Sequence, residues 1–263
     1  MKTALTIAGS DSSGGAGIQA DLKTFSALGV YGMSAIVSVT AQNTLGVNDV
    51  EDLSPAIIGG QIDAVFRDIP VDAVKIGMVS NSAAICTIAD KLKEYGPKYS
   101  VLDPVMVSKS GFDLLKPEAR ETLIQRLLPL ATVVTPNLFE TERLVGYKVE
   151  TIEDMQQAAK EIFRMGPESV LVKGGHLSED PTDIFYDGTR FYPFTGKRID
   201  TKNTHGTGCT LSSAIAAYLA GGRSLTDAIR EAKTYIQGAI EHSLSLGHGH
   251  GPTHHFYRWF PEG

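Results

Sequence analysis

The feature that most restricts the fold of this chain is the regular alternation of short apolar runs with helix-like patterns. The apolar runs lie at residues 4–8, 35–40, 73–78, 100–106, 131–137 and 169–175, and most of them end in glycine or in a polar residue. Helical periodicity lies between and after them, at residues 18–25, 55–67, 83–93, 152–165 and 207–219. This alternation predicts an α/β fold whose parallel sheet is covered on both faces and has right-handed crossovers. Ligands of such folds bind at the carboxyl ends of the strands.

Composition limits the kinds of partner. The 263 residues are enough for one large domain, which we expect to span residues 1–263. A net charge of −6 argues against a nucleic-acid or anionic-membrane surface, so we expect neither partner. The two cysteines do not make a disulfide framework, and no apolar segment approaches eighteen residues. These features favour a soluble cytoplasmic protein.

A glycine motif at residues 200–210 joins a strand-like run to a helix. Gly206 and Gly208 lack a Cβ, so backbone N–H groups around Thr207 can approach an anion closely in front of a positive helix end. Cys209 stands in the first helical turn, where the same field is expected to lower the pKa of its thiol and make it a base or a nucleophile. The alternative is a plain strand-to-helix turn with Cys209 as a small buried residue.

A second glycine-rich loop covers residues 9–17, between the first strand and the first helix. It matches neither the Walker motif nor the dinucleotide fingerprint, so it favours a substrate loop that begins at Gly9. Asp21 comes one helical turn after Gly17 and is expected to accept a hydrogen bond from the ligand. A solvated carboxylate on the helix dipole explains the same position.

The tips of two further strands carry candidate substrate-binding residues. Gln42 follows the second strand, and an amide there suits a heteroaromatic ring with an amino group beside a ring nitrogen, because it can bond to both. Met78 ends the next strand run, and we assign it to the substrate site together with Gly9, Asp21 and Gln42.

Polar residues at the later strand tips suggest a magnesium and phosphate site. Asp103 and Asn137 end two strands, and the i, i+3 spacing places Asn137 and Glu140 on one helix face. Their oxygens suit hydrated Mg²⁺, for which we assign Asp103 and Glu140, although an N-cap with a capping-box glutamate gives the same spacing. Lys173 could meet a phosphate as a point charge. Lys233 lies on a predicted closing helix over residues 225–246 and is assigned to the nucleotide with Asn137, Lys173 and Thr207.

Three other features are interpreted structurally. Asp187-Gly188 lies between alternating residues and predicts a hairpin. Cys86 lies among apolar neighbours and is assigned to the core. Four of the seven histidines fall within residues 247–256, but without partnering cysteines and with alternating glycines they suggest a mobile tail segment more than a metal site.

Taken in order, these motifs resemble the ribokinase-like superfamily, and within it the bifunctional hydroxymethylpyrimidine and phosphomethylpyrimidine kinases of thiamine biosynthesis. The matching segments lie at residues 8–24, 40–44, 75–78, 102–106, 135–140, 172–175, 203–209 and 251–255. The resemblance implies a three-layer α/β/α sandwich with a mostly parallel central sheet. It also implies ATP and Mg²⁺, with a small pyrimidine as the acceptor, and we expect a homodimer.

The resemblance also implies a role for each matching residue. Gln42 would bind the pyrimidine, Lys173 and Asn137 the triphosphate, and Asp103 with Glu140 the magnesium. Cys209 would be the base, although most of the superfamily has aspartate there, and some relatives have glutamate at position 42.

The expected reaction is ATP-dependent phosphorylation of 4-amino-5-hydroxymethyl-2-methylpyrimidine, first to the monophosphate and then to the diphosphate. Placement and charge stabilisation carry most of the catalysis in phosphoryl transfer, and the glycine motif supplies the anion hole. A pyridoxal kinase of the same fold and a non-catalytic pyrimidine or nucleotide sensor are the alternatives. A dinucleotide oxidoreductase is disfavoured because the glycine fingerprint is absent.

Overall fold

Nine strands form one sheet in the part of the chain that the computed structural model describes, which is residues 1–107, 114–116, 118–175 and 180–260. The strands are β1 (Thr3–Asp11), β2 (Tyr31–Gln42), β3 (Val47–Asp52), β4 (Ala73–Ile76), β5 (Ser100–Leu102), β6 (Val133–Val134), β7 (Val170–Val172), β8 (Thr182–Tyr186) and β9 (Phe191–Thr195). The helices are α1 (Gly17–Ala27), α2 (Pro55–Phe66), α3 (Ser82–Tyr95), α4 (Ala119–Arg126), α5 (Leu138–Val145), α6 (Ile152–Arg164), α7 (Thr207–Ala220) and α8 (Leu225–Glu241), with a short 3₁₀ turn at Leu128–Leu130.

The sheet is mostly parallel, as predicted. Its order is β3-β2-β1-β4-β5-β6-β7-β8-β9, and the strands from β2 to β7 in that order run parallel to one another. Antiparallel strands close both edges, β3 on one side and the β8–β9 hairpin on the other. Because the chain adds β2 on one side of β1 and later β4 on the other, the carboxyl ends of β1 and β4 form a topological switch point, where ligands of such sheets bind.

The helices cover the two faces of the sheet and complete the predicted three-layer sandwich. Side chains alternate along the strands, so that Leu5 and Ile7 of β1 join one core while Ala4 joins the other. The first core packs under α2, α3, α4, α5 and α6. The second packs under α1, α7 and α8, and two of these helices, α1 and α7, begin at the glycine loops.

Several predictions of helices and strands are confirmed. Two predictions near the carboxyl end are wrong, namely the end of the last helix and the mobility of residues 247–256. The hairpin at Asp187-Gly188 is present, and α7 starts at the predicted Thr207. The last helix ends at Glu241, short of the predicted residue 246, because the Leu244 N–H instead donates to the Pro252 carbonyl. β3 and α4 were not predicted, and Cys86, which was assigned to the core, is half-buried.

The segment at residues 247–256 is packed, and the prediction of a mobile tail is wrong. The His250 N–H donates to the Thr44 carbonyl, and the His205 N–H donates to the Gly251 carbonyl. His254 and His255 are buried. No helix among the described residues is both long and apolar enough to cross a membrane.

Candidate active site

The two glycine loops contact each other at the start of α7. Gly206 is the N-cap of this helix and has a φ of 80°, a left-handed conformation that favours glycine. A Cβ at this position would overlap the carbonyl oxygen of Gly15 in the first loop. The missing side chain therefore lets the first loop rest against the amino end of α7.

The first turn of α7 faces a lysine and a carboxylate. The Thr207 hydroxyl donates to the Thr204 carbonyl at 2.8 Å and fastens the turn. A Cβ on Gly208 would lie 3.3 Å from Lys173 Nζ and 3.5 Å from Asp103 Oδ2, so these groups lie next to Gly208. Because first-turn N–H groups have no acceptor within a helix, they can combine with the helix dipole and Lys173 to bind an anion.

The thiol of Cys209 is half-buried in this turn, and the prediction of a lowered pKa is wrong. Burial raises the pKa of the thiol to about 11. The positive charge of Lys75 opposes that rise, as does the N–H of Gly17, but the carboxylates of Asp21 and Asp103 add to it. The thiol is therefore neutral near pH 7 in the free protein.

Asp21 lies under the site, and the expectation that it contacts the ligand is not supported. Its carboxylate is fully buried, and Lys75 Nζ lies 2.9 Å from each of its oxygens. The hydroxyls of Thr6 and Ser213 donate to it as well, each at 2.6 Å. All of these donors belong to the protein, so Asp21 joins α1 to β1, β4 and α7. Sequence reasoning missed Lys75, although a lysine inside an apolar strand was a visible signal.

Lys173 connects the tips of β5 and β7. Its ammonium lies 2.9 Å from Asp103 Oδ1, and both side chains are largely buried. Asp103 also accepts from the hydroxyls of Thr135 at 3.3 Å and Ser212 at 3.4 Å. The backbone of Lys173 bridges to Asn137 in parallel register, which brings a third strand tip to the same place.

Asn137 and Glu140 form the capping box that was the alternative explanation of their spacing. Asn137 Oδ1 accepts from the Glu140 N–H at 2.9 Å, and Glu140 Oε2 accepts from the Asn137 N–H at 2.8 Å. Glu140 is buried, and burial raises the pKa of its carboxyl to about 7 against the opposing charge of Lys173. The negative charge of Asp103 contributes to the rise. Glu140 therefore belongs with Asp103 and Lys173 to one group of interacting charges, called here the charged cluster.

The substrate-side candidates lie at the tips of β1, β2 and β4. Gln42 is the last residue of β2 and is half-buried, and its backbone is held by the hydroxyl of Ser12. A Cβ on Gly9 would lie 3.2 Å from the Met78 sulfur, so these two residues contact each other. Of the four residues assigned to the substrate, Gly9, Gln42 and Met78 therefore lie at neighbouring strand tips, while Asp21 lies beneath them.

Lys233 lies farther along the sheet. Its ammonium is 2.6 Å from Asp183 Oδ2 and 3.2 Å from the Pro181 carbonyl. Asp183 Oδ1 accepts from the Gly174 N–H at 2.9 Å, which connects Lys233 to the loop after Lys173.

Sequence reasoning also missed a buried pair beside the glycine loops. His205 Nε2 lies 2.8 Å from Asp11 Oδ2, and both side chains are buried. The position of His205 directly before Gly206 was the available signal, but its partner lies 194 residues away in sequence.

Comparison with known proteins identifies the family. The family model for phosphomethylpyrimidine kinase matches residues 11–254. The chain belongs to the phosphomethylpyrimidine kinase family. It is 55% identical to the hydroxymethylpyrimidine/phosphomethylpyrimidine kinase of Rhizobium meliloti (strain 1021), over 98% of both chains.

Solved structures agree on the fold and on the kinase class. The phosphomethylpyrimidine kinase of Clostridium difficile 630 is 54% identical and has a TM-score of 0.82, over 91% of this chain and all of that one. The pyridoxal kinase of Staphylococcus aureus with AMP-PCP and pyridoxal is 39% identical with a TM-score of 0.90, over 97% of this chain and 94% of that one. The protein is therefore a phosphomethylpyrimidine kinase family enzyme with the ribokinase-like fold.

Proposed function

We propose that the protein transfers the γ-phosphoryl group of ATP to 4-amino-5-hydroxymethyl-2-methylpyrimidine and then to the resulting monophosphate, in thiamine biosynthesis. The observation that carries this proposal is the contact between the two glycine loops. It sets the first turn of α7, with Cys209, against the strand tips that hold Gln42 and Met78. An acceptor on the strand tips would meet an anion-binding helix end and a thiol.

In the first transfer the hydroxymethyl oxygen attacks the γ-phosphorus and loses its proton to Cys209, while the bond from the γ-phosphorus to the bridging oxygen breaks and ADP leaves. Because the thiol of the free protein has a raised pKa of about 11, only the small thiolate fraction can accept that proton, and Lys75 stabilises it. The N–H groups around Thr207 and Gly208, with Lys173, stabilise the charge on the transferred group. The monophosphate is already ionised near neutral pH, so the second transfer needs no base.

The charged cluster fits a magnesium ion. Among the described residues no group of three or more His, Cys, Asp or Glu side chains could hold a metal. Two carboxylates are nevertheless enough, since Mg²⁺ is commonly bound by one or two carboxylates with phosphate and water oxygens. Glu140 has a carboxyl whose raised pKa a nearby cation would lower, and Asp103 lies in the same cluster. The ion would neutralise phosphate charge there.

The nucleotide phosphates are assigned to Asn137, Lys173 and Thr207, and Lys233 of α8 is assigned to the nucleotide as well. These groups line the sheet edge from α7 toward β8. A single domain, a homodimer and a cytoplasmic location remain predictions.

Pyridoxal kinase activity is the second candidate, and the likeness to the Staphylococcus aureus enzyme supports it. A coupled assay with ATP and Mg²⁺ distinguishes pyrimidine kinase activity from pyridoxal kinase activity. The hydroxymethylpyrimidine, its monophosphate and pyridoxal are supplied as separate acceptors. We expect turnover of both pyrimidines, with a higher kcat/KM than for pyridoxal. Preference for pyridoxal would reassign the substrate, and no transfer to any acceptor would favour a sensor.

A further inference from the structure

We infer that residues 247–251 form a strap that holds the turn between β2 and β3, and with it Gln42, in place for the acceptor. Thr44 of that turn and Gly249 of the strap are then positioning residues. The turn comprises residues 43–46. This inference rests on the proposed role of Gln42 in binding the pyrimidine.

Gln42 lies where the sheet no longer holds β2 on both sides. The parallel pairing of β2 with β1 ends at Thr40, opposite Asp11. Beyond that point Gln42 pairs with Val47 of β3, after a register shift that follows Ala41. Because β3 is the last strand on this side of the sheet, the ends of β2 and β3 can move together. Contacts outside the sheet must therefore hold this end of the hairpin.

The first glycine loop supplies one of these contacts. The hydroxyl of Ser12 accepts from the Gln42 N–H at 2.9 Å and donates to the Gln42 carbonyl at 2.8 Å. The turn that follows is bonded within itself, since Asn43 Oδ1 accepts from the Leu45 N–H at 2.9 Å. A displacement of Thr44 therefore moves the turn as a unit and shifts Gln42 with it.

The strap supplies the other contact, and it acts on Thr44. The His250 N–H donates to the Thr44 carbonyl at 2.9 Å, and the Gly249 N–H donates to the Thr44 hydroxyl at 3.2 Å. A Cβ on Gly249 would overlap the Thr44 carbonyl oxygen, and a Cβ on Gly247 would overlap the Thr44 hydroxyl. The missing side chains of these glycines therefore let the strap backbone lie directly against the turn.

The other end of the strap is bonded to the segment before α7. His250 Nδ1 lies 2.9 Å from the Lys202 carbonyl oxygen, which can only accept, so this nitrogen carries the hydrogen. The Gly251 N–H donates to Asn203 Oδ1 at 3.1 Å, and the Gly251 carbonyl accepts from the His205 N–H at 3.0 Å. His205 directly precedes the N-cap of α7. The strap thus connects the turn beside Gln42 to the start of α7.

This connection fixes the spacing between the two halves of the proposed site. Gln42 belongs to the acceptor half, and Cys209 belongs to the half that meets the transferred group. If the strap releases the turn, Gln42 occupies its binding position for only part of the time, and the apparent Kd of the acceptor rises by the inverse of that fraction. The nucleotide is assigned to residues at the tips of β6 and β7 and on α7 and α8, so its binding does not need the turn.

The test is calorimetric binding of 4-amino-5-hydroxymethyl-2-methylpyrimidine and, separately, of AMP-PCP. Gly249 does not have a left-handed φ, and the atoms nearest to a Cβ there belong to Thr44 and Leu45, so Gly249→Ala displaces the turn without straining the strap. Gly188→Ala is the matched control, because its Cβ would lie 2.7 Å from the ring of Phe163 at the hairpin on the opposite edge of the sheet.

Two changes of Thr44 separate its hydroxyl from its shape. Thr44→Val keeps the branched side chain but removes the acceptor of the Gly249 N–H, whereas Thr44→Ser keeps the hydroxyl. Thr44→Val should raise the Kd of the pyrimidine about two- to tenfold, the usual effect of one lost hydrogen bond, and Thr44→Ser should bind as wild type does.

We expect Gly249→Ala to raise the Kd of the pyrimidine by at least about tenfold, which corresponds to a turn that is in place for a tenth of the time or less. The Kd of AMP-PCP should stay within about twofold, and Gly188→Ala should leave both values unchanged. Unchanged pyrimidine binding in Gly249→Ala, or an equal loss of AMP-PCP binding, would overturn the inference while the proposed function stands.

A double variant decides whether the strap acts through Gln42. In a protein that carries Gln42→Ala, adding Gly249→Ala should raise the Kd of the pyrimidine by less than about twofold, because the group that the strap positions is already gone. Fully additive effects would overturn the inference and leave the proposed function standing. If wild type bound no pyrimidine, the proposed function would fail, and the inference with it.

Discussion

At the scale of single residues, the proposed role of Cys209 as a base distinguishes the two phosphoryl transfers. An alcohol is a poor nucleophile until its proton is removed, whereas a phosphate monoester is already ionised. In the proposed mechanism only the first transfer therefore needs the thiolate, whose formation burial opposes and Lys75 assists.

Cys209→Ala should slow phosphorylation of the free pyrimidine by about 10²–10⁴-fold, the usual contribution of a general base, and spare much of the monophosphate kinase activity. In wild type, kcat/KM for the free pyrimidine should rise with pH through the range below about 11, since the thiolate fraction rises there. Both half-reactions are measured separately, and Cys86→Ala serves as the control that spares both. Equal losses in the two half-reactions would mean that Cys209 shapes the anion hole and is not a base.

Glu140 is the residue at which the magnesium assignment can be tested. Glu140→Gln keeps an oxygen for the helix cap but removes the charge, so it should raise the Mg²⁺ concentration needed for half-maximal turnover while α5 stays folded. A magnesium titration of activity measures this, with circular dichroism as the check on folding. Wild-type behaviour across the titration, or full activity in excess EDTA, would refute the assignment.

At the scale of elements, the start of α7 depends on two glycines that have different tasks. Gly206→Ala should lower the free energy of unfolding by at least about 1–2 kcal/mol, because it forces a left-handed alanine against the Gly15 carbonyl. The Cβ of Gly208→Ala would come close to the end of the Lys173 side chain and would touch Asp103 Oδ2 at an ordinary contact distance, so this change should leave stability nearly unchanged and reduce turnover by displacing the ammonium. Urea unfolding and steady-state kinetics of both variants test the distinction. Equal stability of the two variants would contradict it.

The sequence predicted those helix starts and turns that depend on interactions between neighbouring residues. The start of α7 follows from a glycine pair before helical periodicity, and the β8–β9 hairpin follows from Asp187-Gly188. The end of α8 and the packing of residues 247–256 depend on hydrogen bonds to distant backbone, such as that between His250 and Thr44. Composition alone, which showed only alternating glycines, therefore gave the wrong answer there.

Within the site, too, the features set by neighbouring residues could be predicted and those set by residues distant in sequence could not. Gln42, Asp103 and Lys173 could be placed from the sequence because strand tips of a parallel sheet share one edge. The raised pKa of the Cys209 thiol could not be foreseen, since it depends on burial and on carboxylates from other elements. The buried state of Asp21 is likewise set by Lys75, which lies 54 residues away in sequence.

At the scale of the whole molecule, the Lys75–Asp21 ion pair joins the helices around the site to the centre of the sheet. Lys75→Met alone leaves a buried carboxylate uncompensated and should cost about 3–5 kcal/mol of stability. Lys75→Met combined with Asp21→Asn removes both charges but keeps partners for Thr6 and Ser213, so it should be more stable than Lys75→Met. Urea unfolding of the single and double variants gives the coupling energy, and additive effects would show that the two charges do not interact.

One site at the switch point of the sheet is proposed to carry both transfers. If it does, the rings of the free pyrimidine and of its monophosphate both lie on Gln42. Kinetics of the two half-reactions in Gln42→Ala test this directly. KM should rise by a similar factor for both acceptors, about 5–150-fold for a loss of about 1–3 kcal/mol, while KM for ATP stays unchanged. A rise for one acceptor with no change for the other would contradict a single site.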